Sequence, residues 1–321
     1  VKKEKRSKSK ISRRKFVGLA GTGLAGAWFA ISEHAGARFV RQAIQETTRK
    51  ILPAPHKPEP LAWSDRHVTA TWLGHATVLV NFFGLRILTD PTLEARVGAD
   101  IGVGTVGPKR LVASPLSFEE LPPIDLILLS HAHMDHFDMP TLENFSGAPQ
   151  AVTARETLDL FSGLKFRRNA TELGWGESTM VRTPRGDVRV EGFEVSHWGA
   201  RWRHDKHRGF NGYILEREGK KIMFGGDTAI TDKFEAIRSK GQFDLAIMPI
   251  GSYKPFKRSH CTPEESVKMT NDARGEKLLP IHFKTFRLGE EGTIEPMERL
   301  QEAIAEDRIA LRDIGQTFQL T

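Results

Sequence analysis

The segment His131-Ala132-His133-Met134-Asp135-His136 puts three imidazoles and a carboxylate into six positions, directly after the apolar run 125–130. Imidazole nitrogen and carboxylate oxygen are the donors that suit zinc, iron or manganese at neutral pH. His131 and His133 are two residues apart, so in an extended loop they point the same way and can pinch one ion. Asp135 and His136 then face a neighbouring ion. A chain with 12 histidines in 321 residues seldom places three of them in six positions by accident, which argues against an incidental polar loop.

Six residues cannot close two metal sites, and further donors belong at other strand ends, because loops at one edge of a sheet layer converge in space. Three segments qualify: His197 ends a strand expected over 187–196, Asp227 follows Gly225-Gly226 at the end of 213–225, and His282 follows 278–281. The remaining elements frame these. Segments 69–82 and 85–89 read as paired strands turning near Gly84, 125–130 and 243–250 as buried strands, and Glu218-Gly219 as a hairpin turn within 213–225. Helices are expected over 263–272 and 295–306. Thr262 is placed to cap the first, with Pro263 at its first position and Glu264 and Glu265 in its first turn. There is no internal repeat and no second composition regime, so 68–321 is expected to be one catalytic domain.

Charge narrows the function class. Of 47 basic and 40 acidic residues, nine and one respectively lie within the first fifteen positions, leaving 38 against 39. The body is therefore near neutral, without the basic groove a nucleic-acid binder needs. The basic stretch ends in Ser12-Arg13-Arg14-Lys15-Phe16-Val17, and an uncharged Gly- and Ala-rich run over 16–32 follows, with Ala35-Gly36-Ala37 as a cleavage candidate. This layout resembles a twin-arginine export signal over 1–37, read by the twin-arginine translocase. It implies a periplasmic protein, or one held on the outer face of the cytoplasmic membrane. Residues 38–67 are expected to hold a short helix, 38–52, and a proline-rich linker, 53–60, that cannot be helical. The single cysteine, Cys261, excludes an intramolecular disulfide.

The order of motifs carries a resemblance. The His131–His136 cluster followed by His197, Asp227 and His282 resembles the metallo-β-lactamase fold hydrolases. Nine segments resemble, more closely, their N-acyl-phosphatidylethanolamine-hydrolysing phospholipase D group. These are residues 72–77 (Trp-Leu-Gly-His-Ala-Thr), 88–91 (Leu-Thr-Asp-Pro), 107–110 (Gly-Pro-Lys-Arg), 121–125 (Leu-Pro-Pro-Ile-Asp), 130–136, 196–198 (Ser-His-Trp), 226–228 (Gly-Asp-Thr), 249–251 (Pro-Ile-Gly) and 281–282. The fold implied is of the α/β class, a four-layer αββα sandwich. The resemblance assigns His131, His133 and His197 to one zinc and Asp135, His136 and His282 to a second, with Asp227 bridging. Iron or manganese remain alternatives to zinc. Asp90 is then expected to orient ligands by hydrogen bonds, and His75, on the first hairpin, to play a supporting part beside them.

The activity implied is hydrolysis of a phosphodiester of an (N-acyl) phosphatidylethanolamine-type phospholipid, or of a small phosphodiester. A metal-bridging hydroxide would be the nucleophile, and Asp135 and Asp227 would serve chemistry as well as ligation. A lactonase or ester hydrolase of the same fold, acting on a phosphorylated lactone, is the alternative. The loop 251–260 follows a buried strand, and its Tyr253, Lys254, Arg258 and His260, with Lys284, are candidates for contact with an anionic substrate. They could equally be ordinary solvated loop residues. The stretch 201–208 mixes aromatic and basic groups, suited to lipid headgroups and peripheral membrane contact or to a mobile lid. Two departures from the lipid-cleaving relatives bear on the acyl groove: the segment after the third ligand reads Gly209-Phe210-Asn211-Gly212-Tyr213, and Phe283 stands where those relatives have tryptophan.

Overall fold

Alternation of apolar side chains along short strands builds two sheets that face each other. The computed structural model describes residues 46, 49–100, 102, 104–145, 147–202 and 204–320, and the export signal expected over 1–37 lies outside them. Most of the helix expected over 38–52 lies outside them as well. Residues from Lys50 onward form one unit. One sheet has seven strands in the order β15 (Thr317–Gln319), β1 (Val68–Gly74), β2 (Thr77–Phe82), β3 (Leu85–Thr89), β6 (Leu126–Leu129), β7 (Gln150–Ala154) and β8 (Ala170–Leu173). The other has six, in the order β14 (Gly275–Ile281), β13 (Phe243–Pro249), β12 (Lys220–Phe224), β11 (Gly212–Arg217), β10 (Gly186–Phe193) and β9 (Ser178–Thr183). A small separate hairpin joins β4 (Ala99–Asp100) to β5 (Thr105–Val106).

The strand directions gather the site. β3, β6, β7 and β8 are parallel, as are β12, β13 and β14. β1 and β10 run with them, because each is two antiparallel steps away from β3 and β12. Parallel strands put their C-terminal ends at one edge. The segments after β1, β3 and β6 therefore share an edge of the first sheet, and those after β10, β12, β13 and β14 share an edge of the second.

β6 shows why the frame is rigid. Leu126 and Leu128 enter the cluster between the sheets, whereas Ile127 and Leu129 enter a second cluster on the outer face with Phe137, Leu142, Phe161 and Phe166. All four are fully buried, each stabilising the fold by roughly 1.5–3 kcal/mol. A one-residue slip would exchange both faces. The outer layer on this side is thin, with the helix Met139–Glu143 and short 3-10 turns at Leu158–Gly163 and Arg167–Asn169. On the other side the helix Pro263–Asp272 packs on β13, β14 and the helix Glu295–Ala303. Thr262 caps it with a full capping box: its hydroxyl accepts from Glu265 N, and the Glu265 carboxylate accepts from Thr262 N at 2.9 Å. The architecture is thus the expected four-layer α/β sandwich.

Two local expectations are corrected. Residues 69–82 are a hairpin and not one strand: Gly74 (φ 103°) and His75 (φ 53°) turn the chain between β1 and β2. The end of the helix expected over 38–52 is extended instead: Leu52, just before the proline-rich stretch, is bridged to the body, its N donating to Leu111 O at 2.9 Å and its O accepting from Ala113 N at 2.8 Å.

Candidate metal centre

Ser130 and Asp90 form the floor. They follow β6 and β3, adjacent parallel strands that present both residues at the same edge. Asp90 is fully buried and holds φ 31°, a strained backbone of the kind found where function fixes geometry. Its Oδ1 accepts from Ser130 N at 2.7 Å, and its Oδ2 accepts from Ser130 Oγ and from His136 Nδ1, both at 2.6 Å. His131 Nδ1 in turn donates to Ser130 Oγ at 2.8 Å. Both imidazoles thus have their Nδ1 protons engaged, which turns their Nε2 atoms forward. Burial opposes charge on His136, but Asp227, Asp135 and Asp90 raise it well above the ordinary range, so a cation at its Nε2 would take the place of a proton. His197 is fixed the same way, its Nδ1 donating to Ser259 O at 2.9 Å.

Two pockets lie above this floor. In the first, His131 Nε2 and His133 Nδ1 stand 2.7 Å apart, and His197 Nε2 is 3.2 Å from the same His133 nitrogen. Burial lowers all three imidazoles: His131 well below the ordinary range, His133 to about 4 and His197 to about 3. They are neutral at pH 7, the form that ligates a metal.

The second pocket contains charge. Asp227 Oδ2 is 3.1 Å from His136 Nε2 and 3.1 Å from His282 Nε2, and Asp135 Oδ2 lies 3.7 and 3.8 Å from the same two atoms. Asp227 also reaches the first pocket, 3.8 Å from His197 Nε2. Burial pushes both carboxyls up, but the imidazoles around them, His136 foremost, hold them well below the ordinary carboxylate range. Burial likewise opposes charge on His282, yet Asp227 and Asp135 raise it to about 9. Two anionic side chains in a buried pocket favour a positive charge there, and a divalent cation supplies it.

The donor set fits metal on a second ground. His133 Nε2, His282 Nδ1, Asp227 Oδ1 and His260 Nδ1 are buried and lack a hydrogen-bond partner, while His136 Nε2 and His282 Nε2 meet only carboxylate oxygens. Leaving such atoms unpaired costs about 1–3 kcal/mol each, so this many in one place marks a ligand site and not a packing accident. Gly226 makes the approach of Asp227 possible: it takes φ 57°, and a Cβ there would sit 2.8 Å from that of Ser130.

All seven expected ligands are brought together, and so is His75. It is buried at the β1–β2 turn, with Nε2 3.1 Å from Asp135 Oδ2. Its backbone is held by Thr285 Oγ1, which accepts from His75 N at 2.5 Å, and by His282 N, which donates to His75 O at 3.0 Å. Burial and nearby His282 lower it to about 3, so the neutral ring donates to Asp135.

The five rim candidates divide. His260 alone comes to the paired pockets, its ring 5.1 Å from His282 and 5.3 Å from His197, with Nδ1 3.7 Å from Asp227 Oδ2, and with His197 and Asp227 it forms a further group able to hold a cation. Tyr253 is turned away: it is buried, its hydroxyl donates to Glu295 Oε1 at 2.9 Å, and the Arg299 guanidinium lies over its ring. Lys254 pairs with Glu295 at 2.6 Å, and Lys284 pairs with Asp313. Arg258 is exposed to solvent. Two aromatic neighbours of the site were not singled out as substrate contacts from sequence. Trp198 stands edge-on to His133 at 4.5 Å and is 51% exposed, while Phe256 faces His260 at 6.4 Å and is 48% exposed. Position was the available signal for Trp198, the residue directly after a ligand.

Known proteins share this frame. A family model described as the Beta-lactamase superfamily domain matches residues 85–283. The chain is 33% identical over 253 residues to an N-acyl-phosphatidylethanolamine-hydrolyzing phospholipase D of Caenorhabditis elegans, covering 74% of this chain and 70% of that protein. It is 30% identical over 226 residues to a UPF0173 metal-dependent hydrolase of Thermus thermophilus, covering 68% and 85%. Among solved structures, an isothiocyanate hydrolase from Delia radicum gut bacteria superposes with a TM-score of 0.63 at 18% identity, covering 79% of this chain and 99% of that one.

Proposed function

The chain belongs to the beta-lactamase superfamily, and from that footing we propose that it is a dinuclear, zinc-dependent hydrolase that cleaves a phosphodiester of an (N-acyl) phosphatidylethanolamine-type phospholipid in phospholipase D fashion. The observation that carries this reading is the pair of pockets approached by Asp227, whose Oδ2 lies 3.1 Å from His136 and His282 on one side and 3.8 Å from His197 on the other. Two divalent cations bound there would supply a hydroxide at neutral pH and neutralise charge developing on the phosphoryl group.

The remaining work falls to side chains. Asp90 and Ser130 keep His131 and His136 in the ligating tautomer. His75 donates to Asp135 and so keeps that carboxylate turned toward His136 and His282. His260 is lowered to about 4 by burial, so its neutral ring is available to donate a hydrogen bond to a substrate oxygen. Trp198 and Phe256 offer apolar surface at the mouth, which suits a substrate presented from a lipid surface. Among the described residues no helix is long and apolar enough to cross a membrane.

The test is a comparison on zinc-loaded protein of N-acylated and plain phosphatidylethanolamine, a generic phosphodiester and a panel of lactones. Phosphatidic acid released from the phospholipids is the expected result; lactone turnover without phosphodiester cleavage would reverse the assignment. Export through the twin-arginine route forms part of the proposal. Replacing Arg13 and Arg14 by lysine should retain the protein inside the cell, and unchanged export of that variant would remove this element.

A further inference from the structure

The chain between His197 and Phe210 is tied down by two arginines. Arg208 donates from Nη1 and Nη2 to Asp159 at 2.6 and 2.8 Å, from Nη1 to Glu156 O at 2.6 Å, and from Nε to Asp205 Oδ2 at 2.8 Å. Asp205 is buried and also accepts from Trp202 N at 2.6 Å. Gly199 closes the base of this stretch: a Cβ there would lie 2.3 Å from Arg208 O and 2.4 Å from Gly209 O. The segment is therefore braced at its base, with specific contacts at Trp202, Asp205 and Arg208.

The other arginine, Arg201, is directed at the metal loop. Its Nη1 donates to Ala132 O at 3.2 Å and to Phe137 O at 2.7 Å. Ala132 lies between the ligands His131 and His133, and Phe137 directly follows the ligand His136. Between these points the loop makes one helical turn, with His136 N and Phe137 N both donating to His133 O. Arg201 itself lies four residues after the ligand His197. A single guanidinium nitrogen thus joins three stretches of chain that supply ligands to both pockets.

We propose that Arg201 is a positioning residue for the metal centre, fixing the spacing of His131, His133 and His136 relative to His197. The inference rests on the metal-centre reading above, and it is independent of which substrate is cleaved. Among the described residues neither carbonyl accepts a backbone hydrogen bond. Without the guanidinium, Ala132 O and Phe137 O lose their shared donor, and the turn that spaces the ligands is free to relax. Groups that orient ligands at one remove typically alter metal affinity by about 10–100-fold when removed.

The experiment compares full-length protein carrying Arg201→Met or Arg201→Gln with the unmodified chain. Zinc affinity is read by competition with a chromophoric chelator, and ligand geometry by the visible spectrum of the cobalt(II)-loaded protein. The expected result is a loss of zinc affinity of about 10–100-fold and a changed cobalt spectrum. If the methionine variant does not fold, the glutamine variant, which keeps a neutral donor on a shorter arm, gives the reading. A side chain that merely stabilises the fold would lower the melting temperature and leave the cobalt spectrum of the folded protein alone. Wild-type affinity and spectrum in either folded variant would overturn the proposal. Failure of the phosphodiesterase assay with an intact metal centre would instead count against the substrate assignment and leave Arg201 untouched.

Discussion

At the floor of the site each carboxylate oxygen of Asp90 has a named donor, and every partner comes from the end of an adjacent strand or the loop it launches. At the rim, the polar groups that look free in sequence are held by carboxylates far along the chain: Tyr253 and Lys254 by Glu295, Lys284 by Asp313. The floor follows from the pairing of β3 with β6, which brings their ends side by side, and the rim from packing of loops and a helix, at similar separations along the chain. Residues able to do chemistry and residues free to do it are therefore separate sets, and residue type reveals only the first.

The comparison predicts that damage is graded from floor to rim. Asp227→Asn is expected to have the largest effect, a loss of turnover of ~10³-fold or more, because it removes the anion shared by both pockets. Metal analysis of the purified variant should fall from two cations per chain toward one, while circular dichroism stays native; two tightly bound cations in that variant would break the shared-carboxylate description. Asp90→Ala comes next. It should weaken zinc binding by about 10–100-fold, since His131 and His136 lose the chain of hydrogen bonds that fixes their tautomers. A chelator competition giving unchanged affinity would mean that the floor does not orient ligands.

Much of the floor was legible because its signals are local. The His131–His136 cluster and the strand-end residues His197, Asp227 and His282 each follow an apolar run, and β6 divides its side chains between two cores as its period of two requires. What was missed lies where local signals fail. β7 and β8 are short strands of five and four residues, made strands by pairing with β6 and with one another more than by their own pattern. The break of 69–82 at His75 was hidden because the residue in the left-handed conformation is a histidine, and tertiary hydrogen bonds from Thr285 and His282 hold it there. Arg201 was visible only as part of a basic, aromatic stretch, since its acceptors are backbone carbonyls nearly seventy residues earlier in the chain.

His260 tests the boundary between the two regions, because it reaches the paired pockets from a rim loop. His260→Ala is expected to lower kcat by about 10²-fold while two cations remain bound, for its ring approaches Asp227 but the seven ligands do not depend on it. Loss of a cation in this variant would move His260 to the floor and make it a ligand. The smallest effect belongs to Tyr253→Phe. That substitution removes the hydroxyl bonded to Glu295 and keeps the ring beneath Arg299. It should cost about 1 kcal/mol of stability, measured by denaturant unfolding, and change KM by less than about threefold. A larger rise in KM with stability intact would show that the Tyr253 hydroxyl leaves Glu295 to meet substrate, and that the rim rearranges when the site is filled.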